Sequence, residues 1–94
     1  MGRASRRKQE RLAEKLLRIR LALDMSQSQL LEHLGLTEDL YRTNISSYER
    51  GEREPPLFAL LSYAHAAGVC LDVLVDDELD LPAKLPARPR HSHR

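Results

Sequence analysis

The chain has 94 residues, with 15 Lys and Arg against 14 Asp and Glu, 41% hydrophobic residues, three Tyr, one Phe and no Trp. That suffices for one small domain with a core of Leu, Ile, Val and Ala, and is too short for a second. No apolar run is long enough to span a membrane, no secretory signal opens the chain, and the lone Cys70 excludes an internal disulfide, so a cytoplasmic protein is expected.

The net charge of +1 hides an asymmetry. Residues 1–20 carry eight Lys/Arg and two acids, whereas residues 55–81 carry five acids and no Lys/Arg. Residues 82–94 are again basic, with four Lys/Arg and no acid. Basic ends therefore flank an acidic middle, a pattern that suits a polyanion and equally suits solvated tails.

Residues 1–9 hold Arg3, Arg6, Arg7 and Lys8 with no apolar partner and read as a flexible basic arm. From Glu10 to Leu23 the pattern turns helical: Leu12, Leu16, Ile19 and Leu23 form one stripe, with Arg11, Lys15 and Arg18 on other faces. Ser26 is placed to cap a second helix over Gln27 to Leu34, with Gln29 completing a capping box and Gly35 ending it. Thr37-Glu38-Asp39 resembles a further helix start, and a third helix is expected from about Arg42 to Arg50, with Ile45 and Tyr48 inward and Gly51 as its stop. Two short helices joined through a glycine make a helix-turn-helix.

Pro55-Pro56 should open a fourth helix, with Leu57, Leu60, Leu61, Ala64 and Ala67 on its inner face and Gly68 at its end. Leu71 to Val75 reads as a short fifth helix, either the last layer of the bundle or part of a self-complementary patch. Cys70 lies among apolar residues, so a buried thiol is expected. Pro82, Pro86 and Pro89 make residues 82–94 a disordered tail. The expectation is an all-α chain of five helices in one domain, residues 10–81. His33 and His65 lack metal-ligand spacing, and no motif sets a nucleophile beside a base. No metal, cofactor or enzyme activity is expected.

Ser26-Gln27, Leu34-Gly35-Leu36, Ile45, Tyr48, Glu49-Arg50-Gly51, Arg53, Pro55, Leu60-Leu61, Ala64 and Gly68 through Leu74 stand together in a characteristic order. In these residues, over about 12–76, the chain resembles the Cro/C1-type (XRE) helix-turn-helix family. That resemblance implies a compact five-helix lambda repressor-like bundle and a transcriptional regulator, a repressor, acting as a homodimer on double-stranded DNA. The third helix would enter the major groove with Arg42, Thr43, Asn44, Ser46 and Ser47 facing the bases. Their chemistry fits independently, since Arg bonds guanine, Asn bonds adenine, and Ser and Thr serve either. Gln27, Arg50 and Arg53 would contact phosphates, and the arm at Arg3, Arg6, Arg7 and Lys8 would wrap the duplex or enter the minor groove. The resemblance also implies a structural ion pair between Arg20 and Glu49. No small-molecule ligand and no membrane are expected as partners.

Two departures stand out. Thirteen residues separate Gly35 from Glu49, four more than the family's usual spacing; the excess falls within residues 36–41 and either lengthens the turn or adds one helical turn to the third helix. Glu52 and Glu54, with Glu38 and Asp39 nearby, add negative charge where a phosphate would lie. A second reading is an antitoxin-like or adaptor module whose acidic face, residues 72–80, engages a toxin or another basic protein.

Overall fold

A computed structural model describes residues 10–86, which hold five α-helices and, among the described residues, no strand. They are α1 (Leu12–Ala22), α2 (Gln27–Leu34), α3 (Arg42–Glu49), α4 (Leu57–Ala67) and α5 (Leu71–Val75). No helix of the described residues is long and apolar enough to cross a membrane.

The apolar stripe of α1 forms the centre of the core: Leu12, Leu16, Ile19 and Leu23 are all buried. Asp24 takes a positive φ of 61° in the tight turn that follows, a conformation Asp tolerates better than most residues. At α2 the Ser26 hydroxyl accepts from the Gln29 N–H at 3.1 Å, and the Ser26 N–H donates to Gln29 Oε1 at 2.9 Å. This reciprocal pair satisfies two of the donors that a helix start leaves open. Gly35 closes α2 at φ 75°, the left-handed region that side chains disfavour.

Residues 36–41 lengthen the turn between α2 and α3; they do not extend α3 backward. Leu36 is buried, its carbonyl accepts from the Asp39 and Leu40 N–H groups, and Leu40 packs partly against the core. No helix begins at Thr37, contrary to the reading of its acceptor-and-acid start. Tyr41 is extended, with φ −114° and ψ 163°, and so separates this single turn from α3.

Three further expectations are corrected. On α4 the buried residues are Ala59, Tyr63, Ala64 and Ala67, whereas Leu57 and Leu61 face solvent. The helix is apolar nearly all round, so periodicity did not fix its orientation; the small alanines let it approach the core, where Tyr63 fills the volume. Cys70 is exposed, because it stands in extended backbone before α5 while its neighbours Val69 and Leu71 make the core contacts. Lys15, expected on an outer face of α1, is only 1% exposed.

Lys15 lies beside Leu12 and Leu16, where α1 meets α5. Its ammonium donates to the carbonyls of Val73 (2.7 Å), Asp76 (3.0 Å) and Leu79 (2.7 Å). These are carbonyls at and beyond the end of α5, where a cation is favoured. The same segment caps α1 in return. The Asp77 carboxylate accepts from the Glu10 and Arg11 N–H groups at 2.9 and 3.2 Å, and Arg11 pairs with Asp80. Leu81 is buried and Leu85 is partly buried, so packing continues past α5 without further helix. The bundle is thus tied shut by contacts between residues about sixty positions apart.

Candidate functional site

The candidate site is built on α3. Ile45 and Tyr48 are buried and dock it on the bundle. Three positions apart, they occupy one side of the helix, and the remaining residues turn outward. Arg42 and Thr43 are exposed, and Asn44, Ser46 and Ser47 are half-buried. Arg42, Thr43, Ser46 and Ser47 fall on one solvent-facing arc, with Ser46 and Ser47 one turn beyond Arg42 and Thr43.

Arg20 and Glu49 meet in a two-point ion pair. Arg20 Nε donates to Glu49 Oε2 at 2.7 Å and Nη2 donates to Oε1 at 3.0 Å. The two side chains are 16% and 5% exposed. Arg20 Nη1 also donates to the Met25 carbonyl at 3.0 Å, so the guanidinium joins α1, the α1–α2 turn and α3. The bond to Glu49 raises the Arg20 pKa above its ordinary value. Beneath lies Tyr63, whose hydroxyl is buried and makes no hydrogen bond to a protein group. Burial, reinforced by the charge of Glu49, holds its phenol well above the usual tyrosine range.

Gln27 extends this network. Its amide nitrogen donates to Glu49 Oε1 at 3.1 Å, while its oxygen accepts from Arg42 Nη1 at 3.3 Å. The start of α2 is thereby bonded to both ends of α3. Gln27 holds the two helices in register, and in the free protein its amide is engaged on both sides.

The remaining expected residues divide into three groups. Asn44 turns its carbonyl oxygen back to accept from the Tyr41 N–H at 2.8 Å, capping the start of α3. Arg50 is held by Glu52 through two bonds of 2.9 Å across the Gly51 turn, and it also bonds the Ser46 hydroxyl. Gly51 has φ 74°, and this backbone conformation is what brings Glu52 back toward Arg50. Arg53 is exposed beside Tyr48 and Pro55. The arm residues Arg3, Arg6, Arg7 and Lys8 lie outside the described residues.

Sequence reasoning passed over Tyr41. The residue is 77% exposed immediately before Arg42, at the leading edge of α3. An aromatic residue beside a basic one was the available signal, obscured by its place in the lengthened turn.

Elsewhere, His33 and His65 line one shallow groove with Leu34, Ser62 and Ala66. Among the described residues no three or more His, Cys, Asp or Glu side chains are gathered to hold a metal. On the acidic strip, Asp77 and Asp80 are engaged by α1, which leaves less free charge for a basic partner. No protein-family model matches the sequence, and the search of curated proteins finds no relative.

Proposed function

We propose that the chain is a sequence-specific DNA-binding regulator of the helix-turn-helix kind, with α3 as the helix that enters the major groove. One observation carries the reading: Ile45 and Tyr48 bind α3 to the core while Arg42, Thr43, Ser46 and Ser47 share its open side. A rigid helix with short donors and acceptors on one arc and a cation at its leading end suits the edges of base pairs. The network of Arg20, Glu49, Gln27 and Arg42 supports it further, because a reading helix must hold one orientation.

Within this reading Thr43 and Ser47, one turn apart, form the centre of the base-facing row. Arg42 contacts guanine or a flanking phosphate once Gln27 releases it. Tyr41 packs on the sugar–phosphate backbone, and Arg53 and the N-terminal arm supply phosphate contacts that carry affinity without specificity. Repression by occupancy of a promoter needs no cofactor and no catalytic step. The alternative of an acidic face engaging a basic partner has no observation in its favour, since two of its carboxylates are held at the start of α1.

A gel shift with a pool of random duplexes at moderate salt tests the proposal. Saturable, salt-sensitive binding that enriches one motif is the expected result. Binding that never saturates, or a pool unchanged after repeated selection, would overturn it.

A further inference from the structure

The buried carboxylate of Glu49 has an acceptor site to spare, and a buried donor without a partner stands near it. Three N–H groups bond the carboxylate: Arg20 Nε at 2.7 Å, Arg20 Nη2 at 3.0 Å and Gln27 Nε2 at 3.1 Å. A carboxylate offers about four acceptor sites, so one stays open. Tyr63 on α4 is 0% exposed, and its hydroxyl bonds no protein group. Buried polar atoms are bonded in the great majority of cases, so an exception asks for a reason. Burial first, and then the charge of Glu49, raise the pKa of this phenol, while Arg20 lowers it. The hydroxyl therefore stands within electrostatic range of the ion pair.

Of the three donors to Glu49, Gln27 is the one that can be drawn away. The Arg20 and Glu49 side chains are closed in, whereas Gln27 is half-buried at the start of α2, where a helix attracts an anion. A phosphate arriving there competes with Glu49 for the same amide N–H group. We infer that the Tyr63 hydroxyl is the substitute donor: when a backbone phosphate takes the Gln27 amide, the Tyr63 O–H closes on the Glu49 carboxylate in its place. Tyr63 is then a positioning residue. It touches no DNA, and it keeps α3 seated on α1 while the outer end of the network changes partner. In the free protein the hydroxyl is unpaired, which disfavours that state; in the complex it is paired, which favours the complex. The exchange with phosphate rests on the regulator reading, but the substitute bond to Glu49 does not.

Four chains test it: wild type, Tyr63→Phe, Gln27→Ala and the double variant. Each is followed by thermal melts and by binding to the duplex that random selection enriches. In the wild-type background Tyr63→Phe should leave the melting temperature unchanged or raise it, because the hydroxyl it removes is unpaired. In the Gln27→Ala background the hydroxyl already bonds Glu49, so Tyr63→Phe should lower the folding equilibrium constant by about tenfold. Duplex affinity should show the opposite pattern. Tyr63→Phe alone should bind about tenfold more weakly, yet it should weaken Gln27→Ala no further. A tyrosine that only fills volume gives equal effects in both backgrounds by both readouts. Equal thermal effects in the two backgrounds overturn the inference, as does an unchanged affinity of Tyr63→Phe for a duplex that the wild type binds. A wild type that binds no duplex removes the regulator reading instead, and the thermal comparison alone then decides the substitute bond.

Discussion

Arg20 on α1 grips Glu49 at the end of α3 at two points, 2.7 and 3.0 Å. The pair is almost closed to solvent, and Gln27 shares the carboxylate, so the orientation of α3 depends on it. Removing one member of a buried pair strands the other. Glu49→Ala should therefore cost about 3–5 kcal/mol and lower the melting temperature by roughly 15–25 °C. Glu49→Gln, which keeps two of the hydrogen bonds in shape, should cost less. Thermal melts followed by circular dichroism decide it. An Ala variant that melts with the wild type but fails to bind DNA would place Glu49 in the interface and not in the scaffold.

Glu52 holds Arg50 across the Gly51 turn with two bonds of 2.9 Å. Both side chains are open to water, so the pair adds little to folding. Under the proposed function its consequence would fall on DNA binding, because a guanidinium engaged by a carboxylate is not offered to phosphate. Glu52→Gln should tighten binding to all duplexes alike and steepen the salt dependence of log affinity by about one phosphate equivalent. The melting temperature should not move. An unchanged slope in a salt titration would mean that Arg50 does not reach the backbone.

Lys15 is the tie between α1 and the end of α5. Lys15→Met keeps the length of the side chain but removes the ammonium that the carbonyls of Val73, Asp76 and Leu79 share, and the Asp76 carbonyl keeps only the Leu79 N–H. The expected loss is about 3 kcal/mol in urea unfolding. Amide exchange should rise first in residues 73–81 and least in α2. Uniform loosening of the whole bundle would contradict a local tie.

Asp77 and Asp80 give that tie a pH dependence. Hydrogen bonds from the Glu10 and Arg11 backbone hold the Asp77 pKa below its usual value, and the Arg11 side chain does the same for Asp80. A carboxylate whose folded pKa is depressed contributes fully above its unfolded pKa, near about 3.9, and loses that contribution as pH falls through the folded value. The melting temperature should thus be flat from neutrality to about pH 5 and fall below about pH 4. Asp77→Asn with Asp80→Asn should melt lower at neutral pH and show a shallower acid decline. An acid decline of the same steepness in the double variant would assign it to other carboxylates.

The first three helices were legible because local chemistry repeats itself there. The Leu12–Leu16–Ile19–Leu23 stripe has helical period, Ser26 and Gln29 form a box visible in four letters, and Gly35 and Gly51 mark left-handed stops. The extra residues after Gly35 could be counted, but only coordinates placed them in the turn. The orientation of α4 was not legible, since Leu57, Ala59, Leu61 and Ala67 are all apolar and the choice between faces is made by volume. The burial of Lys15 is hidden from the sequence for a related reason: its acceptors lie 58 to 64 positions away and are backbone atoms, which no side-chain pattern announces. The hold of Glu52 on Arg50 likewise depends on the fold of the Gly51 turn. At the site, the outward set on α3 followed from the burial of Ile45 and Tyr48, whereas the capping role of Asn44 and the exposure of Tyr41 needed the turn before α3 in three dimensions.

The central claim is that the open arc of α3 reads base edges, and selection of bound duplexes by wild type, Ser47→Ala and Arg42→Ala tests it most directly. Each variant should keep the wild-type melting temperature and bind the selected motif more weakly by about 1–3 kcal/mol. Each should also lose preference at its own position in the motif while the other positions stay intact. Variants that return the wild-type motif at every position, with affinity unchanged, would contradict the account.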